Sequence, residues 1–155
     1  MRKYLIDTNI VSLLGGKETE ESRKIYNKFY QLKDDDIIMV SIVTLYEMMY
    51  GLKHSQDSQQ QDEIRINIEF VQTYFEIIPL DLKEMELFAD MKVLYKKTTG
   101  IAQKAMKKND LDLLIASTAM AENATLISND RIFETLMEIE PQFRWENWLN
   151  YPVLH

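Results

Sequence analysis

Lys3-Tyr4-Leu5-Ile6-Asp7-Thr8-Asn9 is a short apolar run that ends on a carboxylate and passes at once into helix-capping residues. Such a run reads as a buried strand, and Thr8 or Asn9 reads as the cap of a helix that starts without a loop. A strand feeding directly into a helix is the opening of an α/β unit, in which successive strands lie parallel. Ligand sites in such sheets form beyond the carboxyl ends of the strands. Asp7 stands at that point.

The same alternation continues along the chain. Gly15-Gly16 is expected to stop the first helix, and residues 18 to about 34 read as a second, with Ile25, Phe29 and Leu32 on its apolar face. Asp34-Asp35-Asp36 is a turn. Ile37-Ile38-Met39-Val40 is a continuous apolar strand, the pattern of a parallel sheet covered on both faces. Ser41 then caps a helix to about Lys53. The Gln- and Ser-rich stretch His54 to Asp62 reads as a mobile loop or helix end, and a further helix reaches about Tyr74. Glu76 to Pro79 is a third strand. Residues 83 to 97 read as a helix whose core contacts are Met85, Phe88, Ala89, Met91 and Leu94. Leu111 to Glu122 is a helix with Leu111, Leu114, Ile115, Thr118 and Ala119 on its inner face. Ala124 to Ile127 is a fourth strand, Arg131 to Glu138 a short helix, and Phe143 to Trp145 a last strand. The expectation is one α/β domain over residues 1–155, with a mainly parallel central sheet, right-handed crossovers and helices on both faces.

Composition limits the chemistry. With 46% hydrophobic and 28% charged residues, the chain is neither disordered nor a membrane protein. It has no cysteine, and its only histidines are His54 and His155. Thiol catalysis, disulfides and thiolate metal sites are excluded, and an imidazole zinc site has too few ligands. Any metal is a hard cation held by oxygens. No stretch is long enough to span a bilayer, and no apolar run near the start suits a signal peptide. A cytoplasmic location is expected.

The net charge of −7 argues against a nucleic-acid partner, but its distribution argues otherwise. Between Asp90 and Asp110 there is no acidic residue, whereas Lys92, Lys96, Lys97, Lys104, Lys107 and Lys108 give that window +6 and leave −13 for the rest. A basic strip of this kind can hold a phosphate backbone; it also reads simply as a solvated helix face and loop.

Three groups of acids deserve placing. Asp7 and Asp130 follow two strands and so can meet at one sheet edge, although each also suits a helix cap. Glu47 is a lone carboxylate in the apolar run Leu45-Tyr46-Glu47-Met48-Met49-Tyr50. If buried it must be paired, metal-bound or protonated; otherwise it lies on a solvent face. Asp110 and Asp112 fall in the first turn of a helix, where the backbone dipole favours negative charge. Were these carboxylates to converge, their repulsion would require a bridging cation or bound protons. Magnesium or manganese suits such a cluster and can activate water against a phosphodiester.

Taken in order, the motifs resemble those of PIN domains, in particular the VapC toxins of bacterial toxin–antitoxin pairs. Asp7-Thr8-Asn9 looks like the family's opening. Ser41-Ile42-Val43-Thr44-Leu45-Tyr46-Glu47-Met48-Met49-Tyr50-Gly51 resembles its Ser, Thr, Glu and Gly segment. Asp112 to Ala119 resembles its Asp-x-x-Ile-Ala-x-x-Ala helix, and Leu126 to Phe133 the segment in which Thr-x-Asp is usual, with Ser128 in place of Thr. Arg144-Trp145-Glu146-Asn147-Trp148 looks like its last strand. The likeness covers nearly the whole chain. It implies a PIN fold and a ribonuclease using Mg2+ or Mn2+ held by Asp7, Glu47, Asp112 and Asp130, with Thr8 and Ser128 as supporting polar residues. Asp110 is a cap or an auxiliary ligand.

The resemblance further implies an RNA substrate, a cognate antitoxin and a homodimer. Lys96, Lys97, Lys104, Lys107 and Lys108 are the candidates for backbone contacts. The segment Leu45 to Tyr50 either lines a groove for an amphipathic partner helix or, as most of its residues suggest, belongs to the core. A silent PIN-like module that binds RNA or protein is the alternative, against which the presence of all four carboxylates argues. A receiver domain would need paired acids after the first strand and an aspartate after a middle one. Here Asp7-Thr8-Asn9 and Val40-Ser41 stand instead. An aspartate-nucleophile phosphatase needs aspartate where Asn9 is found.

Overall fold

Along Lys3–Ile6 (β1) the side chains alternate between two covered faces, so the strand can lie only in the middle of a sheet. In the computed structural model, which describes residues 1–150, it does. The last five residues of the expected 1–155 domain, His155 among them, lie outside the described part. After β1 come α1 (Thr8–Val11), α2 (Glu20–Tyr30), β2 (Ile37–Ser41), α3 (Ile42–His54), α4 (Ser58–Tyr74) and β3 (Glu76–Ile78). The second half contains α5 (Leu82–Thr99), α6 (Gln103–Met106), a 3-10 turn Lys107–Asn109, α7 (Asp110–Ala121), β4 (Thr125–Ile127), α8 (Ile132–Ile139) and β5 (Arg144–Glu146).

Among the described residues five strands pair in the order β3-β2-β1-β4-β5, every pairing parallel. The chain moves outward from β1 to β3, then crosses back to place β4 on the other side of β1. Leu5 therefore sits opposite both Met39 and Leu126. This reversal leaves a crevice beyond the carboxyl ends of β1 and β4, where the connections diverge. Asp7 leaves one of these strands and Asp130 follows the other.

Helices cover both faces. Leu5, Met39 and Leu126 pack with Met91, Leu113, Ile115, Phe133 and Phe143 on one side. Tyr4, Ile6, Val40 and Ile127 pack with Ile10, Ile25, Leu45, Val71 and Trp148 on the other. The expected three-layer α/β arrangement is the one observed. No helix of the described residues is long and apolar enough to cross a membrane.

Several local expectations need correcting. The first helix ends at Val11, well before the glycines. Gly15 answers a packing demand instead: a Cβ there would lie 1.6 Å from Asn67 Oδ1, on α4. The second helix is shorter than 18–34, because Thr19 and Ser22 form a reciprocal cap that starts it at Glu20. The stretch 54–62 is mostly helical; only residues 55–57 connect α3 to α4, whose cap is Asp57. On α5, Met91 is buried and Phe88 and Leu94 are half-buried, but Met85 and Ala89 are exposed and Glu84 is buried. The inner face of α7 takes Leu113 in place of Leu111, which is exposed. The last strand is shifted one residue, to Arg144–Glu146.

Candidate active site at the carboxyl edge of the sheet

Asp7 is 4% exposed and its backbone N–H donates to Ile127 O at 2.9 Å, which ties the end of β1 to the end of β4. Its carboxylate is held at both oxygens. Oδ1 accepts from Thr8 N at 2.8 Å, the capping bond of α1, and Oδ2 accepts from Ser128 Oγ at 2.7 Å. Ser128 spends its one proton on Asp7, and its oxygen accepts from Asn9 Nδ2 (3.2 Å) and Asp130 N (3.1 Å). One buried hydroxyl thus joins Asp7, Asn9 and the turn bearing Asp130. Asp130 stands one residue before Arg131, the N-cap of α8, and its Oδ1 accepts from Ile132 N at 3.2 Å. The cap reading of Asp7 is therefore correct and displaces Thr8 and Asn9 as the cap of α1, whereas the cap of α8 falls on Arg131 and Asp130 is oriented by its bonds to Ser128 Oγ and Ile132 N.

Glu47 is half-buried and does not lie on a free solvent face. Thr8 Oγ1 donates to its Oε1 at 2.7 Å and lies 3.2 Å from the Thr44 hydroxyl. Thr44, fully buried, is one helical turn before Glu47 on α3, so both reach toward α1. Asp112, in the first turn of α7, accepts no hydrogen bond among the described residues. Burial and the charges of Asp130, Asp7 and Glu47, in that order, push its carboxyl up to about 7. Burial also pushes Asp7 up to about 6, against the Ser128 and Thr8 bonds, with Glu47 and Asp130 adding to the rise.

The four carboxylates named from sequence thus act on one another, and no lysine or arginine among the described residues pairs with any of them. Neither do three of them stand ready-made as a metal cage. They form a patch of coupled negative charge with oxygen donors only, anchored at Asp7. Such a patch is relieved by protons or by a hard divalent cation.

Asp110 lies apart from this group. It pairs with Lys92 Nζ at 2.8 Å, bridging α7 to α5, and is not among the charges that raise Asp112. The ion pair also removes Lys92 from the basic strip. Lys96 binds Gln103 Oε1 at 2.6 Å, while Lys97, Lys104, Lys107 and Lys108 are exposed and make no ion pair among the described residues. Lys107 and Lys108 sit in the 3-10 turn immediately before α7, so the strip runs up to the acids.

Two contributors were missed from sequence. Asn9, read only as a cap, bridges the two strand ends: Nδ2 reaches Ser128, and Oδ1 accepts from Asn129 N at 3.2 Å. Thr44 was part of a quoted motif without a role; a buried threonine one turn before a lone glutamate was the available signal. The core reading of Leu45 to Tyr50 is also corrected. Leu45 and Met48 are buried, but Tyr46, Met49 and Tyr50 are exposed and, with Ile42, Leu45 and Lys53, line an open groove of about 440 Å³.

Comparison with known proteins agrees with this architecture. The PIN domain family model matches residues 4–138. Ribonuclease VapC2 of Rickettsia felis is 30% identical over 146 residues, 94% of this chain and 97% of its own. Ribonuclease VapC of Rickettsia bellii is 25% identical over 139 residues, 88% of this chain and 92% of its own. The crystal structure of VapBC2 from Rickettsia felis bound to a promoter DNA fragment matches with a TM-score of 0.74 at 27% identity, covering 94% of this chain and 98% of that one. VapBC-1 of nontypeable Haemophilus influenzae matches at 0.70 and 24%, covering 94% and 98%, and shares the fold. The sheet order, the extent of the family match and these relatives together establish that the chain belongs to the PIN-domain family, among its VapC proteins.

Proposed function

We propose that this chain is a divalent-metal-dependent endoribonuclease, the toxin of a toxin–antitoxin pair, acting on RNA in the cytoplasm. The observation that carries the reading is the acid patch itself. Four carboxylates from the end of β1, α3, α7 and the turn after β4 act on one another, and among the described residues no lysine or arginine pairs with them. Asp7, Glu47, Asp112 and Asp130 would hold Mg2+ or Mn2+, whose chemistry is to lower the pKa of bound water and to stabilise charge on a phosphoryl group. The chain's own part is positional. Ser128 and Thr8 N keep the Asp7 carboxylate turned and ionisable in spite of its burial. Thr8 holds Glu47, and the bonds of Asp130 to Ser128 Oγ and Ile132 N fix the turn that carries it. Lys97, Lys104, Lys107 and Lys108, with Lys96, would hold flanking phosphates; Asp110 and Lys92 brace α7 against α5.

The relatives named ribonucleases and the solved VapBC assemblies support both the activity and a protein partner. The groove along α3 is the place for an amphipathic antitoxin helix. A second copy of the chain would cover the exposed stripe Leu82, Met85 and Val93 on α5. Cleavage of RNA by protein freed of antitoxin, in Mg2+ or Mn2+ and in chelator, tests the reading. Folded, partner-free protein that leaves RNA intact in both metals would refute it.

A further inference from the structure

The edge strand β5 does more than close the sheet. It pairs with β4 so that Trp145 lies opposite Leu126 and Glu146 opposite Ile127. Beyond β4 the chain enters the turn that bears Ser128, Asn129 and Asp130, and the β5 side holds this turn at three points. Glu146 O accepts from Ser128 N at 3.2 Å, which carries the ladder one residue further. Trp145 Nε1 reaches past its own register and donates to Ser128 O at 3.1 Å. Asn147 Nδ2 donates to Asn129 Oδ1 at 2.7 Å, and its own Oδ1 is kept in place by Leu149 N at 3.0 Å.

These bonds lead into the patch. Asn129 N donates to Asn9 Oδ1, Asn9 Nδ2 to Ser128 Oγ, and Ser128 Oγ to Asp7 Oδ2. Hydrogen bonds thus run from Asn147, just past β5, through Asn129, Asn9 and Ser128 to Asp7 at the centre of the sheet. Ser128 is fully buried, so its carbonyl depends on a donor from the protein. An indole N–H is a donor and nothing else, which matches it to that carbonyl. The bonds of Asp130 to Ser128 Oγ and Ile132 N set the shape of the turn. The bonds from Trp145, Glu146 and Asn147 set where the turn stands beside the end of β1.

We propose that Trp145 and Asn147 are positioning residues of the acid patch: from the edge of the sheet they hold the Ser128–Asp130 turn so that Asp130 joins Asp7 in binding a divalent cation. Both act through the turn. This rests on the metal-site reading above.

The test uses the full chain, freed of antitoxin and metal. Mn2+ binding is followed by the electron-spin signal of the free ion, and folding by the melting temperature without metal. Trp145→Phe keeps a ring and removes the N–H. It should weaken Mn2+ binding roughly tenfold, and Asn147→Ala should act in the same direction. Phe143→Leu is the control, at a buried residue two positions before Trp145 whose side chain has no polar atom. It should lower the melting temperature at least as much and leave Mn2+ binding unchanged. The chain has two indole N–H resonances, from Trp145 and Trp148. The one that Trp145→Phe abolishes should shift when Mg2+ is added to the unaltered protein. Unchanged Mn2+ binding by Trp145→Phe overturns the proposal, as does an indole resonance that ignores Mg2+. Equal weakening by Phe143→Leu overturns it too, since fold stability would then be the cause. In those outcomes unaltered protein that binds Mn2+ keeps the metal-site reading; unaltered protein that binds none removes both.

Discussion

The proton of the Ser128 hydroxyl goes to Asp7 Oδ2, and that bond opposes the burial that drives the Asp7 carboxyl up to about 6. Ser128→Ala removes it, so Asp7 should ionise only at higher pH. The acid limb of the pH–rate profile is then expected to move upward, with activity lost near neutrality and partly regained in alkaline buffer. An unmoved profile would show that Ser128 does not set Asp7's charge. Asp112 offers a cleaner stability test because it has no hydrogen bond to lose. Its carboxyl titrates near 7 when folded and near 3.8 when unfolded, and Asp7 shifts the same way. Between those values the folded chain binds protons that the unfolded chain has released, so stability falls as pH rises through that window. Asp112→Asn is therefore expected to raise the Tm of metal-free protein at pH 8, to change it little at pH 4, and to lower cleavage at least a hundredfold. Thermal melts across pH, with and without the substitution, check it.

At the scale of elements, legibility followed burial. The apolar runs Tyr4-Leu5-Ile6 and Ile37 to Val40 read as strands because both faces of a central parallel strand are covered. Helix faces read less well. On α5 an apolar stripe through Met85 and Ala89 looked like core but points outward, and on α7 the same mistake exchanged Leu111 for Leu113. Periodicity locates an apolar stripe; it does not say whether the neighbour that covers it is in the chain. The site was legible in its strand-end members, Asp7 and Asp130, since position after a strand is a sequence property. The bonds that organise it were not. Thr8 meets Glu47 across 39 positions, and Ser128 meets Asp7 across 121. The lysine segment was legible as charge, yet the loss of Lys92 to Asp110 needed the packing of α5 on α7. Lys107→Ala and Lys108→Ala should each weaken RNA binding and reduce the slope of log affinity against log salt by about 0.7. A salt slope that does not change would place the backbone elsewhere.

For the whole molecule, the order β3-β2-β1-β4-β5 is what turns separate carboxylates into one patch, because the parallel strands are added first on one side of β1 and then on the other. Carboxylates that raise one another's pKa are a store of unfavourable charge, which a bound cation relieves. Magnesium is accordingly expected to raise the Tm more at pH 8, where Asp7 and Asp112 are ionised, than at pH 5. Equal effects at both pH values would detach metal binding from these acids. The exposed stripe on α5 carries its own expectation: if a second copy covers it, Val93→Glu lowers the mass seen in sedimentation, and an unchanged mass would exclude that face.

The central claim is that the acid patch cuts RNA. It is tested most directly by incubating total RNA with antitoxin-free protein in Mg2+ or Mn2+, in chelator, and with Asp7→Asn in parallel. The account predicts fragments only in the metal lanes of the unaltered protein. Equal cutting by Asp7→Asn, or cutting that persists in chelator, would contradict it.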